Sequence, residues 1–183
     1  LIFPASATAS QPWSSEIICT DSSAASRGFQ FRLTTSGQLE LNFISGSSGG
    51  AAQQLVNLPA SGPHAYAASN WFHVAATYNG TNVSLYWSRL DALTASANLL
   101  TNYPLTIGPT FGGITGPLVV GGENRGANTE SFPGLIDEVR ISSVARTATS
   151  FLKQSTLAAP AAPQDLGAGP SDGLVELGWS LVG

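Results

Sequence analysis

The sequence predicts an all-β chain folded as an antiparallel sandwich or barrel. Three observations carry this prediction. Short segments alternate apolar and polar residues with the period of a strand. Turn-forming residues separate them, including 20 Gly and 11 Pro among 183 residues. No window of twelve or more residues repeats apolar groups at helical spacing, apart from a short stretch near 144–157.

The first clear elements are Phe29-Gln30-Phe31-Arg32-Leu33 and Leu39-Glu40-Leu41-Asn42-Phe43. Thr35-Ser36-Gly37 lies between them, so the pair reads as a hairpin with one buried face. The run Ile17-Ile18-Cys19 ahead of it is apolar, and its lone Cys is expected to be a buried small hydrophobe. A second hairpin runs from Trp71 to Tyr78 and from Val83 to Trp87. Its turn, Asn79-Gly80, accepts the positive φ of a tight reversal. Trp71 is expected in the core. Leu118-Val119-Val120-Gly121-Gly122 predicts a further strand. Leu135 to Ile141 predicts another, with Leu135, Asp137, Val139 and Ile141 on one face.

The composition changes at Ala158-Ala159-Pro160-Ala161-Ala162-Pro163, an extended Ala/Pro linker. Beyond it, one strand over 174–182 places Val175, Leu177, Trp179 and Leu181 on a single apolar face. The predicted organisation is a sandwich over 1–155, a linker over 156–173 and an isolated amphipathic strand over 174–183. That strand has no local partner, so it is read as an assembly strand.

Charge excludes several functions. Eleven acids and seven scattered bases give a net charge of −4, with no basic stripe to neutralise phosphates, so nucleic acid is not expected as a partner. No run is long and apolar enough for a membrane span. A single Cys forms no internal disulfide and, with only His64 and His73, builds no zinc site. Only 10% of residues are charged, against a usual ~25%, which suits a secreted or surface protein.

Two stretches resemble the laminin-G-like, concanavalin A-like jelly-roll domains. Residues 70–87, NWFHVAATYNGTNVSLYW, look like that family's central hairpin. Residues 118–147 look like its closing strands, where Phe132, Gly134, Ile136, Asp137, Glu138, Val139, Arg140 and Ile141 match an F-x-G-x-I-D-E-V-R-I run. With 16–43, the resemblance covers most of 1–155. It implies a two-sheet antiparallel jelly roll and an extracellular setting. Family domains start one or two strands earlier, so the sandwich is expected to lack edge strands. Residues 159–180 resemble the opening of a fibronectin type III domain, on Pro163, Leu166, Asp172-Gly173, Val175, Leu177 and Trp179.

Glucanases of this fold use an E-x-D-x-x-E strand, and no such spacing occurs here. Asp137 and Glu138 alternate to opposite faces of the predicted strand and cannot flank one glycosidic bond. There is no G-x-S-x-G elbow. The chain is therefore expected to be non-catalytic. Calcium is the ion the resemblance implies, with Asp21, Glu123, Asn124, Asn128 and Asp137 as oxygen donors, although these also read as ordinary loop and turn residues. Trp13, Tyr86, Trp87 and Tyr103 are the sugar-stacking candidates; Tyr86 and Trp87 are consecutive, so one of them faces outward. The acceptor patterns at Asn79 and Asn82 read as turn chemistry.

Two functions follow. One is an extracellular recognition or adhesion module for glycan or protein. The other is a self-assembling, filament-like subunit in which 174–182 completes its own sandwich or that of a neighbouring copy.

Overall fold

The computed structural model describes residues 14–21, 27–44, 50–90, 96–105, 116–124, 130–152, 164–171 and 174–180. Two units divide the chain, Leu1–Leu152 and Lys153–Gly183. The first contains β1 (Ser15–Cys19), β2 (Phe29–Leu33), β3 (Gln38–Ile44), β4 (Gly50–Asn57), β5 (Phe72–Tyr78), β6 (Asn82–Arg89), β7 (Leu99–Pro104) and β8 (Val119–Val120), followed by the single turn α1 (Ala148–Phe151). Two antiparallel sheets result, in the orders β4-β3-β2-β1-β8 and β5-β6-β7. The chain is an all-β sandwich of the concanavalin A type.

The core follows from strand alternation. Phe31, Leu33, Leu39, Leu41 and Phe43 leave the β2–β3 hairpin on one face. They meet Phe72, Val83, Leu85 and Trp87 from the three-stranded sheet, and Leu58 and Phe132 close the cluster. Phe72 and Trp87 stack with ring centroids 4.5 Å apart, and the Trp87 indole N–H donates to the His64 carbonyl. Burying these two aromatics contributes several kcal/mol, because each removes a large apolar surface from water. The β5–β6 turn uses Gly80 at φ +98°, while the Asn79 side-chain oxygen accepts from Thr81 and Asn82 backbone N–H groups. The acceptor pattern at Asn79 thus sits in an Asx turn.

The structure corrects four expectations. Residues 135–141 form no strand: Leu135 makes an isolated bridge, and Glu138 adopts φ +54°, which breaks the alternation. Leu135, Val139 and Ile141 are exposed, and of this segment Ile136 packs against the core. The 118–122 strand shortens to Val119–Val120, because Gly121 turns away at φ +75°. Trp71 is exposed rather than in the core.

The fourth correction concerns the second unit. Its strand β10 (Leu174–Ser180) pairs antiparallel with β9 (Gln164–Ser171), inside the segment expected to be linker. Leu174 stands opposite Ser171, Val175 opposite Pro170 and Leu177 opposite Ala168, and the register shifts between Gly178 and Ser180, around Trp179. The expected isolated strand is one arm of a hairpin. Leu181 lies outside the described residues.

Candidate functional site

Of the four sugar-stacking candidates, Trp13 lies outside the described residues. Alternation sends Trp87 into the core and Tyr86 to the opposite face, but both are buried, so neither offers a platform. Tyr103 is 53% exposed on the edge strand β7, opposite Val83. Tyr78 is also opposite Val83, from the other side, so Tyr78, Val83 and Tyr103 form one row across the sheet. The same end of the sheet carries Asn82, whose amide donates to Asn102 at 2.6 Å; Asn102 in turn donates to Ser84 at 2.7 Å. Residues 79–84 and 99–105 contain no charged side chain. This end of β5-β6-β7 is therefore uncharged on both faces, with Tyr103 on the Val83 face and Asn82, Ser84 and Asn102 on the opposite one.

A second constellation occupies the polar side of the five-stranded sheet. The alternation that sends Phe31 and Leu41 to the core sends Gln30, Arg32, Glu40 and Asn42 the other way. Glu16 joins them from β1, in register with Arg32. Gln30 donates its amide to both Glu16 and Asp21, each at 2.7 Å, and receives the Asn42 amide at 3.2 Å. Arg32 makes its shortest contact, 2.5 Å, with Glu40, and reaches Glu130 at 3.3 Å and Glu16 at 3.7 Å. Arg27 pairs with Asp21 at 2.5 Å.

Burial dominates the electrostatics. Glu16 is fully buried, and among the described residues its Oε2 has no hydrogen-bond partner. Desolvation outweighs the pull of Arg32, and Glu130 and Asp21 add repulsion, so its pKa rises to about 9. For Arg32, burial disfavours the charge, but Glu40, Glu16 and Glu130 overcome it and hold the pKa above its ordinary value. Burial also pushes the Cys19 thiol up to about 12, and its Sγ donates to the Gly122 carbonyl. One carboxylate oxygen from each of Glu16, Asp21 and Glu130 lies within 4.8 Å of the others.

The expected calcium donors do not form one set. Asp21 is buried in this cluster, and the Asn124 N–H donates to its carbonyl, which brings Glu123 and Asn124 near it. Asp137 is exposed and accepts from the Glu138 N–H. Asn128 lies outside the described residues. Sequence reasoning missed Glu16 and Glu130. The signal was the run of polar alternates on β2 and β3, whose Arg32–Glu40 pair faces away from the core.

Two sheets packed face to face, with a polar outer side and an uncharged rim, define a lectin-type sandwich. Residues 5–150 match the family described as the Concanavalin A-like lectin/glucanases superfamily, and the chain belongs to it. No curated protein and no solved structure matches the chain. Among the described residues, no helix is long and apolar enough to cross a membrane.

Proposed function

We propose that the chain is a non-catalytic recognition module, secreted or displayed on a cell surface, that binds an uncharged glycan at the Tyr103 end of β5-β6-β7. The observation that carries this reading is Tyr103, half-exposed at an end of the sheet whose neighbouring residues carry no charge. A pyranose ring presents C–H groups that stack on an aromatic face, while its hydroxyls exchange hydrogen bonds with neutral groups of the same rim such as the Thr81 hydroxyl. A site without charge favours neutral sugars over acidic ones. Hydrolysis is not the reading, because of the three carboxyls that approach one another among the described residues, Glu16 and Asp21 are fully buried and leave Glu130 without a partner carboxyl that could reach a glycosidic bond. A glycan array probed with the wild-type chain and Tyr103→Ala tests the proposal. Selective retention on neutral glycans, lost in the variant, supports it; equal signals from both proteins refute it.

A second reading, assembly with other copies of the chain, draws on exposed Leu118, Val120, Leu135, Val139, Ile141 and Val144. Single exposed hydrophobes are ordinary, but six in two neighbouring stretches suit a protein contact. The tail would then act as the β9–β10 hairpin rather than a lone donated strand, and we read that hairpin as the opening of a fibronectin type III-like sandwich. Concentration-dependent solution mass that falls to monomer in Leu135→Ser/Ile141→Ser supports assembly, and a concentration-independent monomer mass for the wild type excludes it.

A further inference from the structure

We infer that Asn79 is a site of N-linked glycosylation and that Asn82, three residues on, is not. Each opens an acceptor pattern, as Asn79-Gly80-Thr81 and Asn82-Val83-Ser84, and the sequence contains no other. In the sequence the two are equivalent. The structure separates them on two independent counts, access and hydrogen bonding.

Asn79, Gly80 and Thr81 are all exposed at the tip of the β5–β6 hairpin, and a Cβ built on Gly80 meets nothing within 4 Å. A bulky, hydrated chain of sugars has room there. Asn82 is half-buried, and Ser84, whose hydroxyl completes its pattern, is 6% exposed.

The hydrogen bonds run the same way. Asn79 Oδ1 accepts from the Thr81 N–H and hydroxyl, both at 3.0 Å, and from the Asn82 N–H at 2.7 Å. Its Nδ2 has no partner among the described residues. Glycosylation substitutes Nδ2 and leaves Oδ1 an acceptor, so the turn that this oxygen organises survives the modification. At Asn82 the nitrogen is the committed atom. It donates to Asn102 at 2.6 Å, and Asn102 donates to Ser84 at 2.7 Å, so a sugar there crowds β7. The fold houses a glycan at the first position and not at the second.

The donor is an oligosaccharide carried on a lipid diphosphate. Asn79 Nδ2 bonds to the anomeric carbon while the bond from that carbon to the diphosphate oxygen breaks. The lipid diphosphate leaves with the electron pair, and an Nδ2 proton passes to a base of the transferase. The modification requires the secreted or surface setting proposed above and is independent of sugar binding at Tyr103.

For the test, the full chain is directed through the secretory pathway of cultured human cells. Treatment with peptide-N-glycosidase F in heavy-oxygen water then turns each glycosylated Asn into labelled Asp. Peptide mass mapping identifies the residue in the wild type, so no variant has to fold. The expected result is an intact mass that falls by one glycan, with label at Asn79 and none at Asn82. Asn82→Gln should keep that fall, and Asn79→Gln and Thr81→Val should lose it. Chain retained in the cells is read in the same way. A mass unchanged by the enzyme overturns the inference, as does label at Asn82, alone or beside Asn79. Because the experiment itself supplies the secretory route, such a failure bears on Asn79 and leaves the glycan array on Tyr103 untouched.

Discussion

Arg32 is surrounded by Glu16, Glu40 and Glu130, and the network depends on it. Arg32→Met keeps much of the side-chain volume but strips the buried carboxyls of their shared cation. A loss of about 3–5 kcal/mol is expected, because removing one partner strands the others; urea unfolding of both proteins measures it. Glu40→Gln should cost less, since its amide still occupies the Arg32 contact. His73 offers a pH reading elsewhere in the molecule. Burial lowers its pKa from 6.5 to about 4, so the folded chain keeps it neutral where the unfolded chain binds a proton. Its contribution is fully present above pH 6.5 and is lost as pH falls toward 4. Between pH 7 and pH 4, wild type should lose on the order of 2 kcal/mol more stability than His73→Gln. Parallel pH-dependent urea midpoints would disprove that assignment.

Turns and strand ends decide the elements. Gly80→Ala should destabilise the β5–β6 hairpin by more than about 1 kcal/mol, because a Cβ strains a φ of +98° even though open space surrounds it. A lower urea midpoint with unchanged m-value is the expected signature. Both hairpins were legible in the sequence for this kind of reason: clean alternation flanks turn residues at Thr35-Ser36-Gly37 and Asn79-Gly80. β1 was harder to read. A register shift between Glu16 and Ile18 breaks its period, and its polar Ser15 and Glu16 are buried. β7 ends in Pro and is largely exposed, as an edge strand is, so it lacks an apolar face to detect. The 135–141 segment shows the converse error. Its pattern alternates, but Glu138 takes a positive φ that periodicity cannot reveal.

At the scale of the molecule, the sandwich class was readable because core patterning is distributed over many strands. The sites were less so. Consecutive Tyr86 and Trp87 correctly implied opposite faces, but facing away from the core is not the same as exposure, and Tyr86 is buried. Tyr103 was identifiable as an aromatic but not as the accessible one, since that depends on β7 closing the sheet as its edge. The carboxyl cluster joins Glu16 and Asp21 to Glu130, far away in sequence, a relation no local spacing records.

That joining has a kinetic consequence. β1 lies between β2 and β8, Cys19 bonds to Gly122 across 103 residues, and Arg32 reaches Glu130 across 98. The five-stranded sheet therefore cannot be completed during synthesis until its last, two-residue strand has left the ribosome. Until then one edge of β1 stays open to other nascent chains, an invitation to mispair. Closing so long a loop also delays the reward for its entropy cost, which places refolding in the millisecond-to-second range of non-local β proteins. Stopped-flow Trp fluorescence would detect this as a late phase slowed by Cys19→Ser, with the earlier β5–β6 signal unchanged.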